Sequence, residues 1–161
     1  MATLQDDGRI GEAEMLLSMP IYVAVGRGRP AWDAAAEPEP TNAARLTDEI
    51  GRRLATQVQF VVPDPAGDVE TPQGNYKASA QPTKWVHVRM VLGFDDAIGE
   101  TIRETGVYFG CQPKAGLPAG QRFFTPDQFD KNGRLKLLNH ERVKLVRDAG
   151  IRETFEYVFP F

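Results

Sequence analysis

Residues 83–94 read TKWVHVRMVLGF, and no other part of the chain has so clear a period of two. Successive side chains of a strand point to opposite faces, so Trp85, His87, Arg89 and Val91 share one side and Val86, Val88, Met90 and Leu92 the other. The second set is wholly apolar and is the face expected to be buried. A strand of this kind needs partners, and the flanking sequence offers them at short intervals. PIYVAV at 20–25 opens on a proline, carries β-branched and aromatic residues, and stops at the turn glycines Gly26 and Gly28. Weaker alternation predicts strands over about 56–62 and 74–80, on either side of turn-rich sequence. TIRETGVYFG at 101–110 is another candidate. RLKLLNHERVKLVRD at 134–148 reads as two short strands or one long bent one, and IRETFEYVFPF at 151–161 as an aromatic strand.

Helical signals are sparse by comparison. The first eighteen residues allow a short helix capped by Asp7, with Ile10, Ala13, Leu16 and Leu17 near helical spacing and Gly8 and Gly11 weakening it. NAARLTDEIGRR at 42–53 reads as a short helix or a series of turns, with Leu46 and Ile50 on one face. Pro126 starts one further helical turn. The sum is a mainly β protein, an antiparallel β-sandwich or distorted barrel with one or two short helices and long proline-rich loops; α+β is the alternative. A length of 161 residues predicts a single domain over 1–161. Within it, 1–19 forms an arm or short helix and 111–161 a loop and strand extension.

Composition narrows the function. A net charge of −3 lacks the positive excess that a phosphate backbone attracts, so nucleic acid is not an expected partner. Cys111 is the only cysteine and His87 and His140 the only histidines, a set without zinc-site spacing, and no metal or cofactor is expected. The N-terminus is acidic where a signal peptide needs basic residues, and no apolar run is long enough for membrane insertion. VGRGRP lacks the third glycine and following helix of a dinucleotide site and the Gly-Lys-Ser/Thr of a P-loop, leaving a tight turn. Asp95 and Asp96 read as a solvated turn. Neither Ser18 nor Ser79 has the context of a nucleophile, so no catalytic residue is assigned and the chain is not expected to be an enzyme.

Charge set in apolar sequence is the remaining signal. Glu49, Arg52 and Arg53 in one segment and Arg103 and Glu104 in another would need partners if buried. Solvated, they would be ordinary surface charges; buried, they predict a structural clamp in which Glu104 fastens its strand to the Glu49 to Arg53 segment through an arginine, with Gly106 permitting close backbone approach. Trp32, in a proline-rich connection, packs either on its own domain or into a neighbour. Phe155, Tyr157, Phe159 and Phe161 form an apolar stripe that must be covered, so these five aromatics are the candidate interface.

Taken in order, YVAVGRG, LTDEIGRR and TIRETGVYFG resemble the N-terminal domain of phage tail-collar fibre and baseplate proteins. The matching positions are Val25, Gly26 and Gly28; Asp48, Glu49 and Arg52 or Arg53; and Ile102, Arg103, Glu104, Gly106 and Val107, so that 20–110 reads as a tail-fibre-like β core. The resemblance implies a structural component of a phage tail or baseplate, a wedge piece or an adaptor linking tube or sheath to fibres. Its partners would be other tail and baseplate proteins and copies of itself, its place the virion, after assembly in the host cytoplasm. The alternative is a carbohydrate- or receptor-binding module using Trp32, Trp85 or Tyr108 as stacking platforms.

Overall fold

The computed structural model describes residues 1–161. In chain order the elements are α1 (Asp6–Leu17), β1 (Ile21–Gly26), β2 (Glu49–Leu54), β3 (Gln57–Pro63), β4 (Val69–Thr71), β5 (Gly74–Ala78) and β6 (Trp85–Leu92). There follow β7 (Thr101–Phe109), β8 (Gln112–Pro113), β9 (Phe123–Phe124), β10 (Phe129–Lys131), β11 (Arg134–Val146) and β12 (Glu153–Pro160). Short 3-10 turns occupy Pro30–Asp33 and Pro126–Gln128. The protein is mainly β and antiparallel with a single α-helix, the class expected from the sequence. Its strands form two five-stranded sheets, ordered β11-β7-β1-β2-β9 and β12-β6-β3-β5-β4, and a small β10-β8 pair.

The chain divides into two compact units and passes between them repeatedly. The first comprises Met1–Met19, Ala55–Met90 and Thr154–Phe161. Here Val86, Val88 and Met90 of β6 are fully buried, as their alternation predicts. The opposite face is less open than expected, since His87 is only 2% exposed. Gln59 of β3 and Glu156 of β12 flank its ring, so pairing on both sides of β6 closes over it. Helix α1 buries Ala13 and Leu16. Gln5 is its N-cap residue, whereas the expected cap, Asp7, lies in the first turn beside Asp6, where acidic side chains suit the helix dipole.

The second unit comprises Pro20–Leu54 and Val91–Glu153. All six residues of β1 are buried, because it lies between β2 and β7 in the middle of its sheet. Tyr22, Ala24, Leu46, Tyr108, Cys111, Phe124 and Phe129 make a buried cluster in which Tyr22 meets Phe129 edge-on at 5.4 Å. Gly106 lies close against it: a Cβ on it would fall 2.7 Å from Leu46 Cδ1 and 2.8 Å from Leu135 Cδ1, so both leucines would have to shift.

Residues 42–53 are not a helix. Glu49–Leu54 is strand β2, paired with β1 and β9, and the preceding residues are turns. The register steps from Val25↔Gly51 to Gly26↔Glu49, leaving Ile50 as an extra residue in a β-bulge. Residues three apart on a regular strand face opposite ways; one extra residue brings Glu49 and Arg52 onto the same side. Strand β11 is the long, irregular alternative, with register breaks between Leu135 and Leu137 and between His140 and Leu145. At Pro126 the expected turn is present, with Thr125 and Gln128 forming a capping box.

Candidate functional site

Glu104 is fully buried on β7. Its Oε1 accepts the backbone N–H of Asp48 at 2.8 Å and its Oε2 that of Thr47 at 3.0 Å. The carboxylate therefore does hold the segment leading into β2, but through two amides and not through an arginine. Those amides lie outside regular pairing, where nothing else in the sheet would satisfy them, and a carboxylate accepts from two at once. Gly26, opposite Glu104 in the β1–β7 register, leaves the room: a Cβ there would sit 2.6 Å from Glu104 Oε1.

The arginines make separate ties. Arg52, 2% exposed, gives Nε and Nη2 to the two oxygens of Glu49 at 2.5 and 3.1 Å and Nη1 to the carbonyl of Asn132 at 2.5 Å. Its guanidinium lies 3.7 Å from the centre of the Tyr108 ring, a cation–π contact in a desolvated setting. Burial, with the Glu49 carboxylate adding to it, pushes the Tyr108 phenol up to about 12. Burial likewise raises the Cys111 thiol above its usual value, with Arg52 opposing it. Arg53 pairs with Asp96, whose Oδ2 also accepts the N–H of Gly93 at 2.6 Å. Asp96 is only 9% exposed, so it anchors its turn where the sequence suggested a solvated aspartate.

Arg103 is turned away from Glu104. Its Nε and Nη2 reach the two oxygens of Asp33 at 2.7 and 3.1 Å, and Lys144 reaches the same carboxylate at 2.7 Å. Hydrogen bonds from these two cations hold the Asp33 carboxyl well below the usual range. Next to it, Trp32 stacks on His140 with centroids 4.1 Å apart, lies over Gly28, and donates Nε1–H to Glu37 at 2.7 Å. Gly28 has φ +57°, which favours glycine in any case. Trp32 thus packs on its own unit.

Two residues of this framework carry no signal in the sequence. Arg147, 2% exposed, donates to the carbonyls of Gly93, Asp96 and Ile151 at 2.8, 3.2 and 2.9 Å, tying two connections together without a carboxylate. Arg27 forms a bidentate pair with Glu100 at 2.7 and 2.6 Å and also meets Asp48 at 3.1 Å. Arg147 stands in a run of charges and Arg27 in the VGRGRP turn, and only the fold supplies their partners.

In the first unit, β12 is the terminal strand of its sheet and pairs with β6. Phe159 is buried, Phe155, Tyr157 and Phe161 are partly buried, and Phe159 and Phe161 lie 5.8 Å apart. The stripe is thus partly buried within the chain itself. No group of three or more His, Cys, Asp and Glu side chains is placed to hold a metal ion. No helix is long and apolar enough to cross a membrane.

Buried and nearly buried charges paired within the second unit, Arg52 with Glu49 and Arg53 with Asp96, hold this β framework together. The chain matches, over residues 1–161, the family described as baseplate wedge 3 tail fiber network component, and it belongs to that family. Membership implies a place in the virion tail and contacts with other baseplate proteins. The comparison with curated proteins gives no match.

Proposed function

We propose that the protein is a non-catalytic adaptor of the baseplate wedge, joining the tail core to the fibre network through contacts with other tail proteins and with copies of itself. In this reading it is assembled in the host cytoplasm and uses no nucleic acid or cofactor. The observation that carries it is the expenditure of charge. Glu104, Arg52, Arg53 and Arg147 are each buried or nearly so, and each is committed to an internal partner that fixes one connection against another. A scaffold whose charges are spent on rigidity suits a part that must hold its shape while neighbours load it. The stacking platforms of the carbohydrate-binding alternative fit less well, since Tyr108 is 1% exposed and a face of Trp32 is taken by His140.

Co-expression with the other wedge and fibre proteins of the same particle tests the adaptor role. A complex containing this chain together with at least one wedge and one fibre protein, lost when this chain is omitted, is expected. A wedge and a fibre protein that join equally well without it would refute the role.

A further inference from the structure

Strands β1 and β2 are antiparallel neighbours, for which a connection of about 2–5 residues suffices. Residues 27–48 intervene instead. Within this excess, Pro30 opens a 3-10 turn, Pro38 and Pro40 favour an extended course, and none of the residues Pro30–Asp33 is buried. The segment lies along β11, the outermost strand of its sheet. It is held there by side-chain contacts and not by strand pairing: Glu39 accepts the His140 N–H at 2.8 Å, the Glu37 carbonyl meets His140 Nδ1 at 2.7 Å, Trp32 stacks on the same ring, and Asp33 bridges Arg103 and Lys144.

The seating is incomplete. A space of about 310 Å³ remains between Glu39, Pro40, Thr41 and Ala43 and residues 135–138 of β11. Charges match across the contact, with Asp33 and Glu39 on the segment against Arg103, Lys144 and the His140 N–H beneath, while the Glu37 carboxylate turns back to Arg29 and Trp32 of its own segment. The half-exposed Lys144–Asp33 pair and a single aromatic stack are weak individually and open readily, leaving the bidentate Arg103–Asp33 contact as the main tie.

We propose that residues 29–43 are an exchangeable strap, and that in the particle the strap of one copy seals β11 of the next through the contacts it makes here within one chain. Exchange of an identical element preserves every contact, so only the cost of association opposes it, and a particle that holds copies side by side removes most of that cost. The prolines suit this use. They lack the N–H that would recruit a further strand, so a strapped edge is closed to further growth. The inference rests on the reading that copies of this chain touch one another, and it names the surface.

A chain with residues 30–42 replaced by a short Gly-Ser linker has an open β11 and no strap to give. Mixed with a labelled synthetic peptide of residues 29–43 and followed by fluorescence anisotropy, it is expected to bind the peptide, tenfold or more weakly when it also carries Arg103→Ala and Lys144→Ala. A folded, strap-less chain that fails to bind the peptide, or binds it without regard to those two residues, overturns the proposal. Should that chain not fold, Asp33→Ala loosens the strap and leaves β11 intact. This variant is expected to take up a labelled synthetic peptide of residues 29–43 at least tenfold better than the intact chain does, and equal uptake overturns the strap. Failure here leaves the co-expression result with wedge and fibre proteins untouched, so the adaptor reading stands or falls separately.

Discussion

Taking a carboxylate out of water costs several kcal/mol unless donors replace the solvent. Glu104 meets that condition with the amides of Thr47 and Asp48. Glu104→Ala removes the acceptor and leaves both amides without it, so a loss of about 2–4 kcal/mol is expected in urea unfolding, given roughly 1.5–3 kcal/mol for a hydrogen bond to a charged group. Glu104→Gln keeps one good acceptor and should lose about half as much; a change below about 0.5 kcal/mol for alanine would mean that the contact is incidental. Gly26→Ala drives a Cβ onto the same carboxylate, and its cost should overlap with that of Glu104→Ala in a double-mutant cycle instead of adding to it. His87 offers a second test. Burial lowers its pKa below the usual 6.5, with Glu156 opposing, although at 3.5 Å that carboxylate makes an electrostatic contact and no hydrogen bond. The unfolded chain therefore binds the proton first as pH falls through 6.5, so stability is full above that value and declines below it, by at most about 1.4 kcal/mol per pH unit for one proton. His87→Gln should flatten the slope between pH 7 and 5 in chemical denaturation; an unchanged slope assigns the effect elsewhere. Sequence showed that Glu104 and Arg103 needed partners, but not which ones. The donors on Glu104 are main-chain amides, which every residue possesses and no pattern of letters reveals.

Elements with a uniform period were legible. β6 alternates, β1 is short and apolar between a proline and glycines, and both lie where the sequence placed them. β2 was misread because Leu46 and Ile50 are four apart and charges surround them, which imitates a helix face. The bulge at Ile50 is what puts Glu49 and Arg52 on one side, and a bulge leaves no mark in periodicity because it breaks the period. Arg147 was illegible for a different reason: its partners, the carbonyls of Gly93, Asp96 and Ile151, belong to connections whose course is set by the strands they join. Arg147→Met preserves much of the volume and leaves three carbonyls without their donor, two of them in the 93–99 turn. A loss of about 1–3 kcal/mol is expected, as for buried carbonyls left without a donor, with the Gly93 carbonyl still accepting the Asp96 N–H. Hydrogen exchange should quicken first at Gly99, whose N–H is bonded to the Arg147 carbonyl, and at the Arg147 N–H bonded to Glu100. Faster exchange confined to β3 and β5, with residues 93–100 unchanged, would show that Arg147 does not hold this turn.

At the scale of the whole chain, two compact units are built from interleaved segments, and which segment joins which unit depends on strand pairing that length and composition do not specify. His87 belongs to the first unit and Glu104 to the second, so the two perturbations probe them separately. Lowering the pH from 7 to 5.5 should reduce amide protection, measured relative to the slower intrinsic exchange at that pH, in residues 55–90 and 154–161 ahead of the remainder. Glu104→Ala at pH 7 should do the reverse, acting on 20–54 and 91–153 while the first unit keeps its protection. If both changes raised exchange uniformly, the units would open only together and the chain would behave as one cooperative body. Separate opening would matter for a wedge component, because a unit that loosens alone can reshape one contact while the other continues to hold its neighbour.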